Sequence, residues 1–158
     1  MHMPKRSTSS QSRVETIASE LGKACIGVRV RLMARQVSGI YEQQIRESTL
    51  TIGQMNMLTA MINIGEEHAS ASKLSGALCM EKSTVSRNLD KMESQGWIRR
   101  NEPTQGRLET LSVTASGRKV YAKAYPGWSK AQQMVVDELG DELVSAIMQG
   151  ITIGRPKE

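Results

Sequence analysis

The sequence predicts a mainly α-helical chain with a single small β-hairpin near its middle. Three observations lead there. Apolar residues recur at three- and four-residue steps over most of the chain. That period gives way to short extended runs only around residues 97–113. Capping residues and glycines, rather than long polar tracts, separate the periodic segments.

Residues 1–13 are Ser-rich and lack an apolar run, so they read as a flexible tail, neither a signal peptide nor an anchor. Residues 14 to about 46 read as one long helix, with Val14, Ile17, Leu21, Cys25, Val28 and Leu32 on one stripe. Thirty residues of helix measure roughly 45 Å, too long for a small globule to cover. This helix is therefore expected to pack against another long helix or a second copy of itself. Thr51-Ile-Gly-Gln54 is a capping-box pattern that opens a helix over 52–64, with Met55, Leu58, Met61 and Ile62 facing inward and Gly65 ending it. Ser70 caps a short helix over 71–78 that buries Leu74 and Leu78. Cys79-Met80-Glu81 forms a turn. Lys82 to Gln95 makes the next helix, burying Val85, Leu89 and Met92, and Gly96 stops it.

Trp97–Asn101 and Leu108–Val113 then read as two strands around a polar tip containing Pro103 and Gly106, with Leu111 and Val113 sharing a face. A second long helix follows over about 114–138, bent at Pro126, and a short one over 141–150. The segments divide into a tail (1–13), a long helix (14–48), a compact lobe (50–114), C-terminal helices (115–152) and a polar end (153–158).

The bulk properties exclude several classes. With 39% hydrophobic and 23% charged residues among 158, the chain is not disordered throughout. It has no Phe and only two Trp and three Tyr, too few ring platforms for a single-strand nucleic-acid binder. No stretch approaches the ~20 apolar residues of a membrane span. Two cysteines without an export signal do not make a disulfide framework, so a cytoplasmic location is expected. Two histidines, no metal-ligand spacing, no phosphate-cradling Gly loop and no nucleophile elbow argue against an enzyme, a cofactor or a metal. The net charge of +5 is weak evidence alone, but its distribution is informative. Residues 82–119 hold eight basic and four acidic side chains, so most of the excess sits in one quarter of the chain.

A short helix, a three-residue turn and a longer helix form the spacing that lets the second helix enter a DNA major groove while the first braces it. The face of 82–95 opposite Val85 and Leu89 presents Lys82, Ser83, Thr84, Ser86, Arg87, Asn88 and Lys91. Arg87 suits a bidentate pair with guanine and Asn88 suits adenine, whereas Lys82 and Lys91 suit phosphates. Ser72 and Lys73 on the bracing helix join this set. In the hairpin, Arg99 and Arg100 at the base are expected to reach phosphates, and Arg107 at the tip a narrow minor groove. A winged helix used only for protein association would show an apolar face here instead.

Taken together, Leu50-Thr-Ile-Gly-Gln54, Leu74 through Leu78, Lys82-Ser-Thr-Val-Ser-Arg87, Leu89-Asp-Lys-Met-Glu-Ser-Gln-Gly96, Arg100, and Leu111-Ser-Val-Thr114 with Gly117 resemble the MarR family of bacterial regulators. The resemblance covers roughly residues 50–118 and implies a winged helix-turn-helix lobe flanked by long dimerisation helices. It further implies a homodimer on a pseudo-palindromic double-stranded operator, and a repressor released by a small aromatic or phenolic acid. One departure is that the family's acidic residue two positions before the tip arginine is replaced by Gln105. Candidate effector-pocket residues are Arg31, Tyr41, Met55 and Leu58, a cation, a hydroxyl and apolar walls. A redox alternative rests on Cys25, with Arg29 one turn away. However, aligning the first helix by Tyr41 puts the reactive cysteine of the family's peroxide-sensing branch at Gly27.

Overall fold

The computed structural model describes residues 8–103 and 109–149, in two compact units that divide between Ser38 and Gly39. The first unit holds α1 (Thr8–Ala24) and the start of α2 (Ile26–Ile45). Helix α1 begins earlier than the expected residue 14, because residues 8–13 contain neither Gly nor Pro and only mild helix formers. The single long helix expected over 14–46 is interrupted at Cys25, between Gly22 and Gly27. The interruption is local. The Cys25 amide donates to the Leu21 carbonyl (3.0 Å) and the Arg29 amide to the Cys25 carbonyl (3.2 Å), so the four-residue spacing is kept across it. The apolar stripe of this unit is open to solvent in the single chain, with Val14 62% and Leu21 60% exposed.

In the second unit a 3-10 turn, Arg46–Ser48, leads to α3 (Ile52–Ile64), α4 (Ala71–Leu78) and α5 (Lys82–Ser94). The capping box forms as expected: the Thr51 hydroxyl accepts from the Gln54 amide, and the Gln54 side chain accepts from the Thr51 amide. Glu42 takes the next free donor, the Ile52 amide, at 2.9 Å. Helix α3 is apolar nearly all round, so periodicity underdetermines its inward face. Met57 is fully buried where Ile62, expected inside, is 37% exposed. Ser70 caps α4, and α5 buries Val85, Leu89 and Met92 completely. Each such side chain is worth roughly 1.5–3 kcal/mol of burial, which holds α5 in one rotational phase.

Strands β1 (Ile98–Asn101) and β2 (Thr110–Val113) pair antiparallel, with Ile98 opposite Val113 and Arg100 opposite Leu111. Strand β1 starts one residue later than expected, because the Trp97 amide closes the end of α5 on the Met92 carbonyl at 2.9 Å. Gly96, at φ +70°, supplies the backbone reversal that this closure needs. Ser112 is buried along with Leu111 and Val113, its hydroxyl accepting from the Asn101 amide group at 2.7 Å. The Leu111 amide donates to the Ala69 carbonyl (2.9 Å), tying β2 to the entrance of α4.

Helix α6 (Ala115–Leu139) carries Pro126 within it, and α7 spans Asp141–Met148. Thr114 caps α6 and staples it to the hairpin, accepting from the Gly117 amide (3.0 Å) and donating to the Gly96 carbonyl (2.6 Å). The core joins α3, α4, α5, both strands and Ala124 of α6. No helix among the described residues is long and apolar enough to cross a membrane.

Candidate nucleic-acid interface

The burial of Val85, Leu89 and Met92 decides what α5 shows to solvent. Lys82, Ser83, Ser86, Arg87 and Lys91 are exposed, and Thr84 and Asn88 are half-buried. The Arg87 side chain lies along its own helix, donating from Nε to the Ser83 carbonyl (3.2 Å) and from Nη2 to Thr84 Oγ1 (3.4 Å). Both contacts are long and wet, so they orient the guanidinium at little cost to its release. Asn88 donates from Nδ2 to the Thr84 carbonyl at 2.9 Å. A bidentate pair with adenine requires that bond to open. Ser72 and Lys73 are exposed on α4. The turn between α4 and α5 holds Cys79 in the left-handed region (φ +50°), and this residue is exposed.

Arg99 is exposed and donates from Nε to Asn101 Oδ1 at 3.2 Å. Arg100 behaves differently and corrects the expectation that it reaches phosphates. Its guanidinium is gripped by three carboxylates: Asp90 at 2.6 Å, Glu93 at 2.9 Å and Glu109 at 3.2 Å. Burial works against its charge, but hydrogen bonds and attraction from Glu93 and Glu109 outweigh it and raise its pKa. Asp90 and Glu93 stand three residues apart on α5, and Glu109 precedes β2, so Arg100 joins the recognition helix to both sides of the hairpin base. Arg107 with Gln105 and Gly106 lies outside the described residues.

Of the expected effector set, Tyr41, Met55 and Leu58 lie in the second unit. Met55 and Leu58 are buried core residues, and Tyr41 donates its hydroxyl to Gln132 Oε1. Burial raises the Tyr41 pKa, keeping that hydroxyl protonated. Arg31 is exposed and belongs to the first unit. What the sequence reading missed is a ring wall on α6. Tyr121, Tyr125 and Trp128 recur at four- and three-residue steps, with Tyr125 stacked on Trp128 at 5.8 Å between centroids. Tyr121 shares a 3.0 Å hydrogen bond with Thr59, and Tyr125 is 58% exposed. Three of the chain's five aromatic residues on one helix face was the available signal. Cys25 is half-buried at the interruption between α1 and α2.

A bracing helix, a turn, a hydroxyl- and cation-bearing helix and a paired hairpin define a winged helix-turn-helix DNA-binding protein. Residues 50–107 match the MarR family. The match covers the lobe, and the chain as a whole is similar in fold to transcription regulators. Among solved structures it is similar to the M. tuberculosis transcriptional regulator MosR, with a TM-score of 0.69 and 29% identity over 80% of this chain and 93% of that one. MosR in complex with DNA gives a TM-score of 0.67 at 29% identity, over 79% and 92%. Bordetella bronchiseptica BpsR, whose DNA binding is regulated by 6-hydroxynicotinic acid, shares the fold at a TM-score of 0.68 and 20% identity, over 80% and 90%. No curated protein sequence matches the chain.

Proposed function

We propose that the protein is a homodimeric repressor that reads a pseudo-palindromic operator with α5 and releases it on binding a small aromatic acid. The observation that carries this reading is the outward face of α5. Lys82, Ser83, Ser86, Arg87 and Lys91 lie there without an ion pair among the described residues. Arg87 and Asn88 are assigned to base edges. Lys82, Lys91, Arg99, Ser72 and Lys73 are assigned to phosphates, and the short hydroxyls of Ser83, Thr84 and Ser86 to close approach. That MosR has been crystallised with DNA supports the assignment of the lobe.

Dimerisation is inferred from apolar surface that a lone chain leaves in water. Val14, Ile17, Leu21, Ile26 and Val30 on α1 and α2, and Leu143, Ile147 and Met148 on α7, are all exposed. Exposed apolar residues gathered on helices in this way, in each unit by itself, are unusual on a monomer. Sedimentation at micromolar concentration is expected to give twice the chain mass of 17.4 kDa; a monomer would remove the paired reading heads. The effector reading rests on the ring wall of Tyr121, Tyr125 and Trp128, which suits a flat acid better than the core residues Met55 and Leu58 do. BpsR's response to 6-hydroxynicotinic acid lends that ligand class its support.

The backbone-contact assignment is tested with Lys91→Ala. Affinity for operator and for random duplex is expected to fall by the same factor, with the slope of log K against log salt shallower by roughly 0.9. A loss confined to the operator would assign Lys91 to a base instead.

A further inference from the structure

A cavity of about 430 Å³ opens in the second unit, and no residue of α5, the hairpin or the ring wall lines it. Its walls are the end of α2, the 3-10 turn and the middle of α6. The helices meet there because residue 127 is glycine: a Cβ at Gly127 would stand 2.3 Å from the Gln44 carbonyl oxygen. With the backbones in contact at that point, the side chains around it on α6 stand clear and frame a hollow. Lys123 and Lys130 border it from α6, and Gln44 and Glu47 from the opposite side. Ile45, Ala124 and Pro126 supply its apolar floor.

The polar groups in this hollow lack partners of their own. Among the described residues, the side chains of Gln44, Glu47, Lys123 and Lys130 make no hydrogen bond or ion pair. The Ser48 hydroxyl, by contrast, is spent on the Ile45 carbonyl at 2.6 Å. Two lysines, one glutamate and one glutamine therefore border the same space, Gln44 half-buried and the other three exposed. Lys123 and Lys130 are seven residues apart on one face, about 10 Å along the axis, so each is placed to meet a different end of a short molecule. The volume lies within the usual range for small-molecule sites.

We propose that this cavity binds a small amino dicarboxylic acid, of the acidic amino-acid type. One carboxylate meets Lys123 and the other Lys130, while Glu47 takes the ammonium group and Gln44 a remaining hydrogen bond. The charge pattern selects this class: a monocarboxylate leaves one lysine unmatched, and a dicarboxylate without an amine engages both lysines and offers Glu47 no cation in return.

Calorimetric titration of the full chain with L-glutamate, glutarate and L-glutamine tests each part. L-Glutamate is expected to bind saturably and more tightly than either analogue. Lys123→Met and Lys130→Met are each expected to weaken it by roughly fivefold, the scale of an exposed ion pair. Glu47→Gln is expected to remove the preference for glutamate over glutarate. Mobility shift on DNA checks that each variant is folded, since none of these residues belongs to the reading surface. Absence of saturable binding of L-glutamate, binding untouched by both lysine substitutions, or glutarate binding as tightly as glutamate to the unaltered chain each overturns the proposal.

Discussion

Replacing Arg87 by alanine is expected to cut discrimination between operator and random duplex sharply, with Asn88 still reading a base, while leaving non-specific binding nearly intact. A bidentate arginine–guanine pair contributes about 1–3 kcal/mol of discrimination, or roughly 5- to 150-fold. Among the described residues the side chain is exposed and bonded only to Ser83 and Thr84 of its own helix, so it contributes little to stability. Fold and dimerisation should therefore survive the change. The measurement is fluorescence anisotropy on an operator selected from random duplexes and on a scrambled control, at fixed salt. Equal loss on both duplexes would move Arg87 from the bases to the backbone.

Gly117→Ala carries the largest expected effect on stability. A Cβ there would lie 2.0 Å from the Trp97 carbonyl oxygen and 2.9 Å from its carbon, in the angle where α6 leaves the hairpin. Neither neighbour is a flexible side-chain end, so the helix itself must shift. That breaks the Thr114 staple to Gly96 and the Thr114 amide bond to Trp97. Overpacking of this kind costs about 3 kcal/mol, which for a chain of this size lowers Tm by roughly 6–12 °C. Gly76→Ala on α4, where nothing lies within 4 Å, is the matched control and should leave Tm unchanged or slightly raised. A Gly117→Ala chain as stable as the control would mean the contact relaxes freely.

The lobe was legible because its signals are local. Thr51, Ser70 and Gly96 mark their boundaries with their own chemistry, and the Val85–Leu89–Met92 triad fixes the phase of α5, hence which side chains face outward. The face of α3 was less legible, since a helix apolar on every side offers no contrast between Met57 and Ile62. Arg100 escaped for another reason. Its partners lie seven to ten positions away, across a turn and a strand pairing, so its charge reads the same in sequence whether it meets phosphate or carboxylate. Lys123 and Lys130 were likewise two lysines on a long helix until the close approach at Gly127 brought Gln44 and Glu47 opposite them.

The triple carboxylate grip on Arg100 bears on how such a molecule could be switched. It fastens the base of the hairpin to α5 at Asp90 and Glu93, so that one moves when the other moves. A stimulus has little purchase on the angle between them. In the proposed dimer, what it can alter is the distance and tilt separating one such head from its twin, and a groove repeat of fixed length makes that separation the variable to which binding answers most steeply.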